Sequence, residues 1–154
     1  NMIEVKAPSV YPTDMFTVFL AGSIDMGRAM NWQAKLVADL YHEDILILNP
    51  RRDDWDSEWI QSKDNEKFKE QVLWELRALE NSDLIIFYFD PHTASPITLL
   101  ELGAHKNSNI VVCCPDSYYR KGNVDIFCDL YSITYVKNYE ELILWIKEYL
   151  KSIN

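Results

Sequence analysis

Short apolar runs alternate along this chain with longer amphipathic stretches, and that alternation restricts the possible folds more than any other feature. The apolar runs, which predict strands, are residues 16–22, 45–48, 83–89, 109–114 and 132–136. Apolar residues recur at helical spacing in residues 27–41, 65–81 and 139–153, and another helix is predicted from Ser95 onward. Because strands that alternate with helices build parallel sheets covered on both faces, we expect an α/β fold with a five-stranded, mostly parallel sheet flanked by helices.

Length and hydrophobic content both fit one domain. The chain has 154 residues, of which 48% are hydrophobic, enough for one sizeable core. Residues 83–89 (DLIIFYF) are apolar almost throughout, as expected of a central strand buried on both faces. We therefore predict a single doubly wound domain of flavodoxin-like or Rossmann-like type over residues 16–154, preceded by an N-terminal extension over residues 1–15.

The charge and the cysteines restrict the partners. A net charge of −9 disfavours polymeric nucleic acid, because surfaces that bind it need Lys and Arg. No apolar run is long enough to cross a bilayer, and the first residues do not have the pattern of a signal peptide. Cys113, Cys114 and Cys128 match neither a disulfide framework nor a zinc-binding spacing. We expect a cytoplasmic protein with no membrane partner, no bound metal and no cofactor.

In doubly wound sheets the ligand lies outside the carboxyl ends of the strands, so the residues that follow each strand are the candidates for binding. Polar and small residues follow the first four predicted strands: Gly22 and Ser23; Asn49, Arg51, Arg52, Asp53, Asp54, Trp55 and Asp56; Asp90, His92 and Ser95; Asp116, Tyr118, Tyr119, Arg120, Lys121 and Asn123. The small residues of 21–24 (AGSI) suit close approach of a ligand to backbone N–H groups, and they suit an ordinary tight turn equally. The Arg, Asp and Trp residues of 49–56 (NPRRDDWD) suit a heterocyclic base, and they also suit a solvated loop.

Several well-known motifs are absent from the sequence. It contains no GxGxxG or GxxxxGK[ST] segment, so it predicts neither a dinucleotide fingerprint nor a P-loop. It also contains no HxxxH or GxSxG segment, which disfavours a zinc hydrolase or a serine hydrolase.

Glu101 is a carboxylate in an apolar helix. In residues 95–103 (SPITLLELG), Ser95 has the composition of an N-cap and Pro96 that of the first helical residue. Helical spacing then places Ile97, Glu101 and Ala104 on one face, which is apolar apart from Glu101. The carboxylate is either stabilised there by the helix N-terminus or an Arg partner, or it has a catalytic role.

Glu75 is a second carboxylate at an unexpected position. It lies three residues after Val72 and four before Leu79, on or beside the face predicted to be buried, which comprises Phe68, Val72, Leu76 and Leu79. An ion pair with Lys69 or Arg77, at the edge of the buried face, would explain the position of Glu75 without a catalytic role. Two acids near the same edge of the sheet indicate a catalytic role more strongly than either acid alone, because paired carboxylates can carry out the nucleophilic and the acid–base steps of one reaction.

These segments together resemble the nucleoside 2-deoxyribosyltransferase family and its relatives. The resemblance is carried by residues 17–24 (TVFLAGSI), 49–56, 68–89 (FKEQVLWELRALENSDLIIFYF) and 95–103, and it covers residues 16–114. It implies a small doubly wound α/β domain, usually oligomeric, that cleaves the N-glycosidic bond of a 2′-deoxynucleoside. In such enzymes a Glu attacks C1′ to form a glycosyl-enzyme, and a second base then takes the sugar.

By position, the resemblance implies Glu101 as the nucleophile and Glu75 as the acid that helps the base leave or arrive. Together with the residues at the strand ends, the expected substrate-binding set is Gly22, Ser23, Arg51, Asp53, Trp55, Asp90, Ser95 and Asn123. The expected partners are a small nucleoside or nucleotide and a free nucleobase. The protein is expected to be a homo-oligomer, dimer or higher, in which Asn123 completes the site of a neighbouring subunit.

Two departures from the family keep alternatives open. Phe19 stands where many transferases have a Tyr that orients the nucleophile, and Ser95 stands where many have an Asp that holds the sugar hydroxyls. Related deoxynucleoside 5′-monophosphate N-hydrolases hold the 5′-phosphate with serines at the positions of Ser23 and Ser95. A hydrolase acting on 5′-monophosphates is therefore the second expectation, and a non-catalytic nucleotide-binding module, disfavoured by the two carboxylates, is the third.

Overall fold

The computed structural model describes residues 1–24, 29–54 and 58–154, and it contains one parallel sheet with helices on both faces. The strands of this described part are β1 Ile3–Lys6, β2 Thr17–Gly22, β3 Leu46–Asn49, β4 Leu84–Tyr88, β5 Ile110–Cys113 and β6 Thr134–Val136. The helices are α1 Trp32–Asp39, α2 Glu66–Asn81, α3 Pro96–Ala104, α4 Lys121–Leu130 and α5 Tyr139–Ser152. The predicted α/β fold with a parallel sheet is confirmed.

The strands lie in the order β1-β3-β2-β4-β5-β6, and every neighbouring pair is parallel. From β2 the chain passes outward to β3 on one side, and then crosses to β4 on the other side of β2. The order of the strands therefore reverses between β2 and β4. In doubly wound sheets the carboxyl ends of such a pair border the ligand-binding crevice.

The sheet has six strands where the sequence predicts five. The additional strand is β1, which pairs with β3 at the edge of the sheet, with Ile3 beside Leu46 and Lys6 beside Asn49. Its sequence, IEVK, alternates apolar and charged residues over four positions, and short charged strands are typical of sheet edges. Residues 1–15, expected to form an extension, thus contribute an edge strand.

The sequence also does not predict α4. This helix contains Gly122 and begins without a side-chain cap at Arg120, so its propensity and its start signal are both weak. Val124 and Cys128 lie one turn apart and are buried, so tertiary packing stabilises the helix.

Alternate residues of the strands point into two cores. One core lies beneath α2, α3 and α4 and includes Phe19, Leu48, Ile85, Phe87, Val112, Trp74, Leu102 and Val124. The other lies beneath α1 and α5 and includes Val18, Leu20, Ile47, Ile86, Val111, Trp32, Leu36 and Ile146. Each side chain of the central strands is therefore enclosed, which explains their continuous apolar sequences.

The N-terminal segment is fixed against α2. The Nε1 of Trp74 donates to the carbonyl oxygen of Ser9 at 2.9 Å, and its ring meets Tyr11 edge to face with centroids 6.0 Å apart. Across the described ranges, none of the helices combines the length and the apolar character needed to span a bilayer.

Candidate active site

The site is built around Gly22, the last residue of β2. A Cβ atom at this position would lie 2.5 Å from the carbonyl oxygen of Tyr88 and 2.6 Å from Cζ2 of Trp32. Trp32 stacks on Tyr88 with ring centroids 4.8 Å apart, and its Nε1 donates to the carbonyl oxygen of Ser23 at 3.2 Å. Glycine thus allows the Trp32 ring to lie against the end of the strand and to fix the path of Ser23.

Three hydroxyl groups meet where β2 and β4 end, and we call Ser23, Thr93 and Ser95 the hydroxyl cluster. Ser23 is only 1% exposed, and its Oγ accepts the backbone N–H of Asp90 at 2.8 Å. Thr93 Oγ1 donates to Ser23 Oγ at 3.0 Å and lies 2.7 Å from Ser95 Oγ, which is also hydrogen-bonded to Ser23 Oγ. The cluster therefore stands at the start of α3, where backbone N–H groups are left without helical partners.

Ser95 occupies the N-cap position of α3, with Pro96 directly after it, but its hydroxyl does not cap the helix. Its backbone is in the left-handed region (φ 51°, ψ 52°), and its side chain turns toward Ser23 and Thr93 instead. The prediction that Ser95 caps the helix through its side chain is wrong. A left-handed non-glycine residue at this point is a local strain of the kind found at ligand sites.

Asp90 holds two loops of the site in place. The side chain is 2% exposed, and its Oδ1 accepts the backbone N–H of His92 at 2.8 Å. Its Oδ2 accepts the N–H of Met30 at 3.4 Å. Asp90 therefore lies beside Ser23 as expected, and its carboxylate is engaged with the backbone on both sides of the crevice.

Glu101 lies on the buried face of α3, although the composition of that face differs from the prediction. Thr98, Glu101 and Leu102 are buried, whereas Ile97 and Ala104 are exposed. Glu101 is 5% exposed, and no group of the described residues makes a hydrogen bond or an ion pair with its carboxylate. The alternative that an Arg neutralises Glu101 therefore has no support in the part of the chain that the structure describes.

Glu75 lies on α2 with a single amide as its partner. The buried residues of this helix are Gln71, Trp74, Ala78 and Leu79, so the predicted face is wrong at Leu76, which is 46% exposed. Glu75 itself is half-buried, and its Oε2 accepts a hydrogen bond from Nε2 of Gln71 at 2.8 Å. The predicted structural partners Lys69 and Arg77 are both exposed.

The two carboxylates influence each other. Burial raises the pKa of Glu75 to about 7, and the hydrogen bond from Gln71 partly offsets that effect. Burial, and then the charge of Glu75, raise the pKa of Glu101 well above its ordinary value. Because the charge of Glu75 opposes ionisation of Glu101, the two carboxyl groups lose their protons in coupled steps, at a higher pH than free carboxylates do.

Arg51 and Arg52 in the loop after β3 point in different directions. The Arg51 guanidinium donates to the carbonyl oxygens of Ala29 at 2.7 Å and Met30 at 3.0 Å, and to Oε1 of Gln33 at 3.3 Å. Arg51, predicted to bind substrate, therefore supports the segment that leads into α1.

Arg52 connects the same loop to α2. Its Nε and Nη2 donate to the two oxygens of Asp54 at 2.9 and 3.0 Å, and its Nη1 donates to Oε1 of Gln71 at 3.4 Å. The guanidinium also lies 5.1 Å from the centre of the Trp59 ring. The Arg52 side chain is only 6% exposed, and its hydrogen bonds connect the loop to α2.

The remaining predicted residues lie apart from this centre. Asp53 is exposed and forms an ion pair with Lys6 at the end of β1, with 2.9 Å between Nζ and Oδ2. Asn123 is exposed on α4 and borders a groove against α3, next to Leu99 and Gly103. Trp55 lies outside the described residues. The structure thus brings Gly22, Ser23, Asp90 and Ser95 together, and places Glu75 near Glu101.

Gln71 and Thr93 belong to the site although sequence reasoning gave them no role, and Tyr118 belongs to it as one of the candidates expected after the fourth predicted strand. Gln71 precedes Glu75 by four residues, a helical spacing that would have indicated contact. The hydroxyl of Tyr118 donates to the carbonyl oxygen of Ala94 at 2.6 Å and so holds the entry to α3. Nothing in the sequence around Thr93 or Tyr118 indicates these contacts. Over residues 1–24, 29–54 and 58–154, no three His, Cys, Asp or Glu side chains cluster as metal ligands would.

Comparison with known proteins gives a family and a fold. The family model described as nucleoside 2-deoxyribosyltransferase like matches residues 15–118. Among solved structures, the chain is similar to a conserved protein from Enterococcus faecalis V583, with a TM-score of 0.61 and 18% sequence identity, over 87% of this chain and 98% of that one. That likeness shows a common fold. No curated protein matches the chain.

The matched range contains Ser23, Glu75, Ser95 and Glu101, and hence both carboxylates and the whole hydroxyl cluster. Because it also spans more than half of the sequence, the chain belongs to the nucleoside 2-deoxyribosyltransferase-like family.

Proposed function

We propose that the protein cleaves the N-glycosidic bond of a 2′-deoxynucleoside through a covalent glycosyl intermediate on Glu101, and transfers the deoxyribosyl group to another nucleobase. The observation that supports this most is the buried carboxylate of Glu101, which has no partner among the described residues and lies near a second acid, the half-buried Glu75. An uncompensated buried carboxylate costs stability, and such costs are typically retained at functional sites.

In the first step, the bond between C1′ and the base nitrogen breaks and its electron pair goes to the base. Glu75 in its protonated form gives the base a proton, which makes it a better leaving group. The ionised carboxylate of Glu101 stabilises the oxocarbenium-like transition state and then bonds to C1′ as an ester. After this step Glu75 is ionised and Glu101 is esterified.

In the second step, the ionised Glu75 takes a proton from a ring nitrogen of the incoming base. That nitrogen attacks C1′, and the ester bond to Glu101 breaks with its electron pair returning to the carboxylate. Both acids regain their initial states, so transfer needs no net proton. Water in place of the second base would give hydrolysis by the same route.

With one proton on the two acids, the site offers one carboxylate and one carboxylic acid, and the proposed reaction uses the arrangement with the proton on Glu75. Substrate has to favour that arrangement, because burial and the charge of Glu75 raise the pKa of Glu101 strongly in the free protein. Positive charge that develops at C1′ next to Glu101 favours this arrangement during the reaction, because it stabilises the ionised form of Glu101.

Incubation with deoxyinosine and adenine tests the proposal. We expect chromatography to detect deoxyadenosine and hypoxanthine, and we expect Glu101→Gln to lower kcat by at least about a thousandfold, since the nucleophile is lost. Glu70→Gln, an exposed acid on α2, serves as the matched control and should retain wild-type activity. Full activity of Glu101→Gln would refute the role of Glu101, and an inactive wild-type protein that still binds nucleosides would favour the binding module.

A 5′-monophosphate N-glycosidase is the second candidate, and the hydroxyl cluster specifically favours it. Three hydroxyls at the start of α3, with Ser95 free of a capping bond, resemble the surroundings that bind a phosphate group. Deoxyuridine and deoxyuridine monophosphate, each with and without adenine, distinguish the candidates, since hydrolysis yields uracil and deoxyribose 5-phosphate without an acceptor.

The hydroxyl of Ser95 decides between the two substrates if it contacts phosphate. We then expect Ser95→Ala to lower the ratio of kcat/KM for deoxyuridine monophosphate over deoxyuridine by about ten- to a hundredfold, because a hydrogen bond to a charged group is lost. An unchanged ratio would exclude phosphate recognition by Ser95, and Thr98→Ser on the next turn is a suitable control for nonspecific effects on α3.

A further inference from the structure

We propose that Gln71 is the positioning residue for Glu75: its buried side-chain amide holds the Glu75 carboxylate in a fixed place relative to residues 49–54. Three hydrogen bonds meet at this amide. Its Nε2 donates to Oε2 of Glu75 at 2.8 Å and to the carbonyl oxygen of Pro50 at 2.9 Å, and its Oε1 accepts from Nη1 of Arg52 at 3.4 Å. Gln71 itself is 3% exposed.

The orientation of this amide is determined by its neighbours. A backbone carbonyl oxygen only accepts hydrogen bonds and a guanidinium only donates them, so the NH₂ group must face Pro50 and the oxygen must face Arg52. Glu75 is on the NH₂ side, and its carboxylate therefore always meets a donor. Both hydrogens of the NH₂ group are used, which leaves the amide no alternative arrangement that keeps its bonds.

Arg52 keeps the oxygen side of the amide in place. Its forked contact with Asp54 and its position over Trp59 fix the guanidinium within the loop. The carbonyl of Pro50 belongs to the same loop. Within residues 1–24, 29–54 and 58–154, Gln71 is consequently the only side chain that links the carboxylate of Glu75 to the loop after β3 through hydrogen bonds.

The charged surroundings of Glu75 determine the direction of the effect. Glu101 on α3 lies close enough to Glu75 for the charge of Glu75 to raise the pKa of Glu101. The loop after β3 carries the Arg52–Asp54 ion pair and Asp53, and β2 carries no charged residue. The titratable side chains of the N-terminal segment are Glu4, which accepts from Asn49, Lys6, which pairs with Asp53, Tyr11, which meets the Trp74 ring, and Asp14. The donor from Gln71 therefore counteracts burial in stabilising the ionised form that Glu75 needs in order to accept a proton.

A matched pair of glutamines allows a clean test. Gln33 is also buried and also bonded to an arginine, since its Oε1 accepts from Arg51 at 3.3 Å, but its amide nitrogen faces the carbonyl oxygen of Ser23 at 3.5 Å. Gln71→Met and Gln33→Met remove the same groups from similar environments. Only the first substitution removes the donor to Glu75.

The measurement is the titration of Glu75 in protein labelled with ¹³C at the glutamate carboxyl carbons, with the resonance assigned by its loss in Glu75→Gln. We expect the midpoint for Glu75 to be about one pH unit higher in Gln71→Met than in the wild type, because the hydrogen bond to the ionised form is lost. Gln33→Met should match the wild type within about 0.3 pH units. An unchanged midpoint in Gln71→Met, or an equal shift in both variants, would overturn the proposal.

A second measurement uses the wild-type chain and therefore does not depend on a variant that folds. The side-chain amide protons of Gln71 should shift in ¹H–¹⁵N spectra with the same midpoint as the Glu75 carboxyl carbon, since one of them is bonded to that carboxylate. Amide protons that do not respond between pH 5 and pH 9, about two units either side of the expected midpoint, would show that the contact is absent and would refute the proposal.

The significance of this link for catalysis depends on the proposed function, and the two fail in different ways. If Glu75 is the acid–base group, the alkaline limb of the kcat profile should move upward by the same pH shift in Gln71→Met. If Glu75→Gln keeps full activity while Gln71→Met still moves the titration, the acid–base role fails and the positioning by Gln71 is retained. If Gln71→Met leaves the titration of Glu75 unchanged and Glu75→Gln is inactive, the positioning by Gln71 fails and the acid–base role of Glu75 is retained.

Discussion

Glu75 and Glu101 bind a proton more tightly in the folded chain than in the unfolded chain, because burial raises the pKa of both. The folded state therefore holds more protons than the unfolded state between the ordinary value near 4.5 and the raised value of about 7 for Glu75. The free energy of unfolding then falls as the pH rises through this window. The stability that the neutral acids provide is complete below the window and is lost above it.

Glu75→Gln should accordingly be more stable than the wild type at pH 8, by about 1–3 kcal/mol, since the amide cannot ionise. The difference should disappear toward pH 3, where both acids are neutral in the folded and in the unfolded state, and urea denaturation at the two pH values measures it. The exposed Glu70→Gln should show no such pH-dependent gain. A Glu75→Gln variant that is less stable than the wild type at pH 8 would contradict the effect of burial.

Residue by residue, the sequence indicates the charged members of the site better than the neutral ones. Glu75 and Glu101 are noticeable because charge is unusual on an apolar helix, and Ser23 because it follows a strand in a doubly wound fold. Thr93 gives no such signal, because its role depends on Ser23, which is distant in sequence. The spacing of Gln71 indicates its contact with Glu75 but not its hydrogen bond to Pro50. The αL backbone of Ser95 is likewise a product of tertiary contacts.

Gly22 determines how closely strand β2 and helix α1 approach. Gly22→Ala should destabilise the protein by about 1–3 kcal/mol, because its Cβ would overlap the Tyr88 carbonyl and the Trp32 ring, and both are held by packing. Gly122→Ala on α4, where an added Cβ meets nothing within 4 Å, should not destabilise it. Urea denaturation of the two variants measures the contrast, and equal stabilities would contradict the close packing at Gly22.

Elements with strong patterns are predictable from this sequence, and elements with weak patterns are not. Strands β2 and β4 are apolar along their length because helices cover both faces of the sheet, so their residue pattern alone is enough to identify them. Strand β1 has an exposed edge position and α4 contains a glycine, and both depend on tertiary pairing or packing that local propensity does not encode. The face of α3 is misjudged at Ile97, since nothing local distinguishes an apolar residue in the core from one that is exposed.

At the scale of the whole molecule, an apolar surface on α3 and α4 supports the proposed homo-oligomer. Its exposed residues are Ile97, Leu100, Ile126 and Leu130, with exposed fractions of 58%, 65%, 70% and 71%. We expect light scattering after size-exclusion chromatography to give a multiple of the 18.1 kDa chain mass. Ile126→Glu should shift it toward the monomer, whereas Leu144→Glu on α5, which covers the opposite face of the sheet, should not. A wild-type mass of one chain would contradict the oligomer.

If Asn123 completes a neighbouring site, mixed oligomers should regain activity that neither parent has. Subunits with Asn123→Ala and subunits with Glu101→Gln, unfolded and refolded together, would then form some sites with both residues intact. No recovery on mixing, where each variant alone is oligomeric and inactive, would place Asn123 in the site of its own chain.

Arg51 and Arg52 stand next to each other and are fixed to opposite layers of the molecule. Arg51 is bonded to the segment that leads into α1, and Arg52 to Gln71 on α2, and these two helices cover opposite faces of the sheet. The chain between β3 and Asp53 cannot swing outward without breaking both sets of bonds together. This side of the crevice is therefore anchored to both layers of helices, and any movement of it would have to break hydrogen bonds on both faces of the sheet.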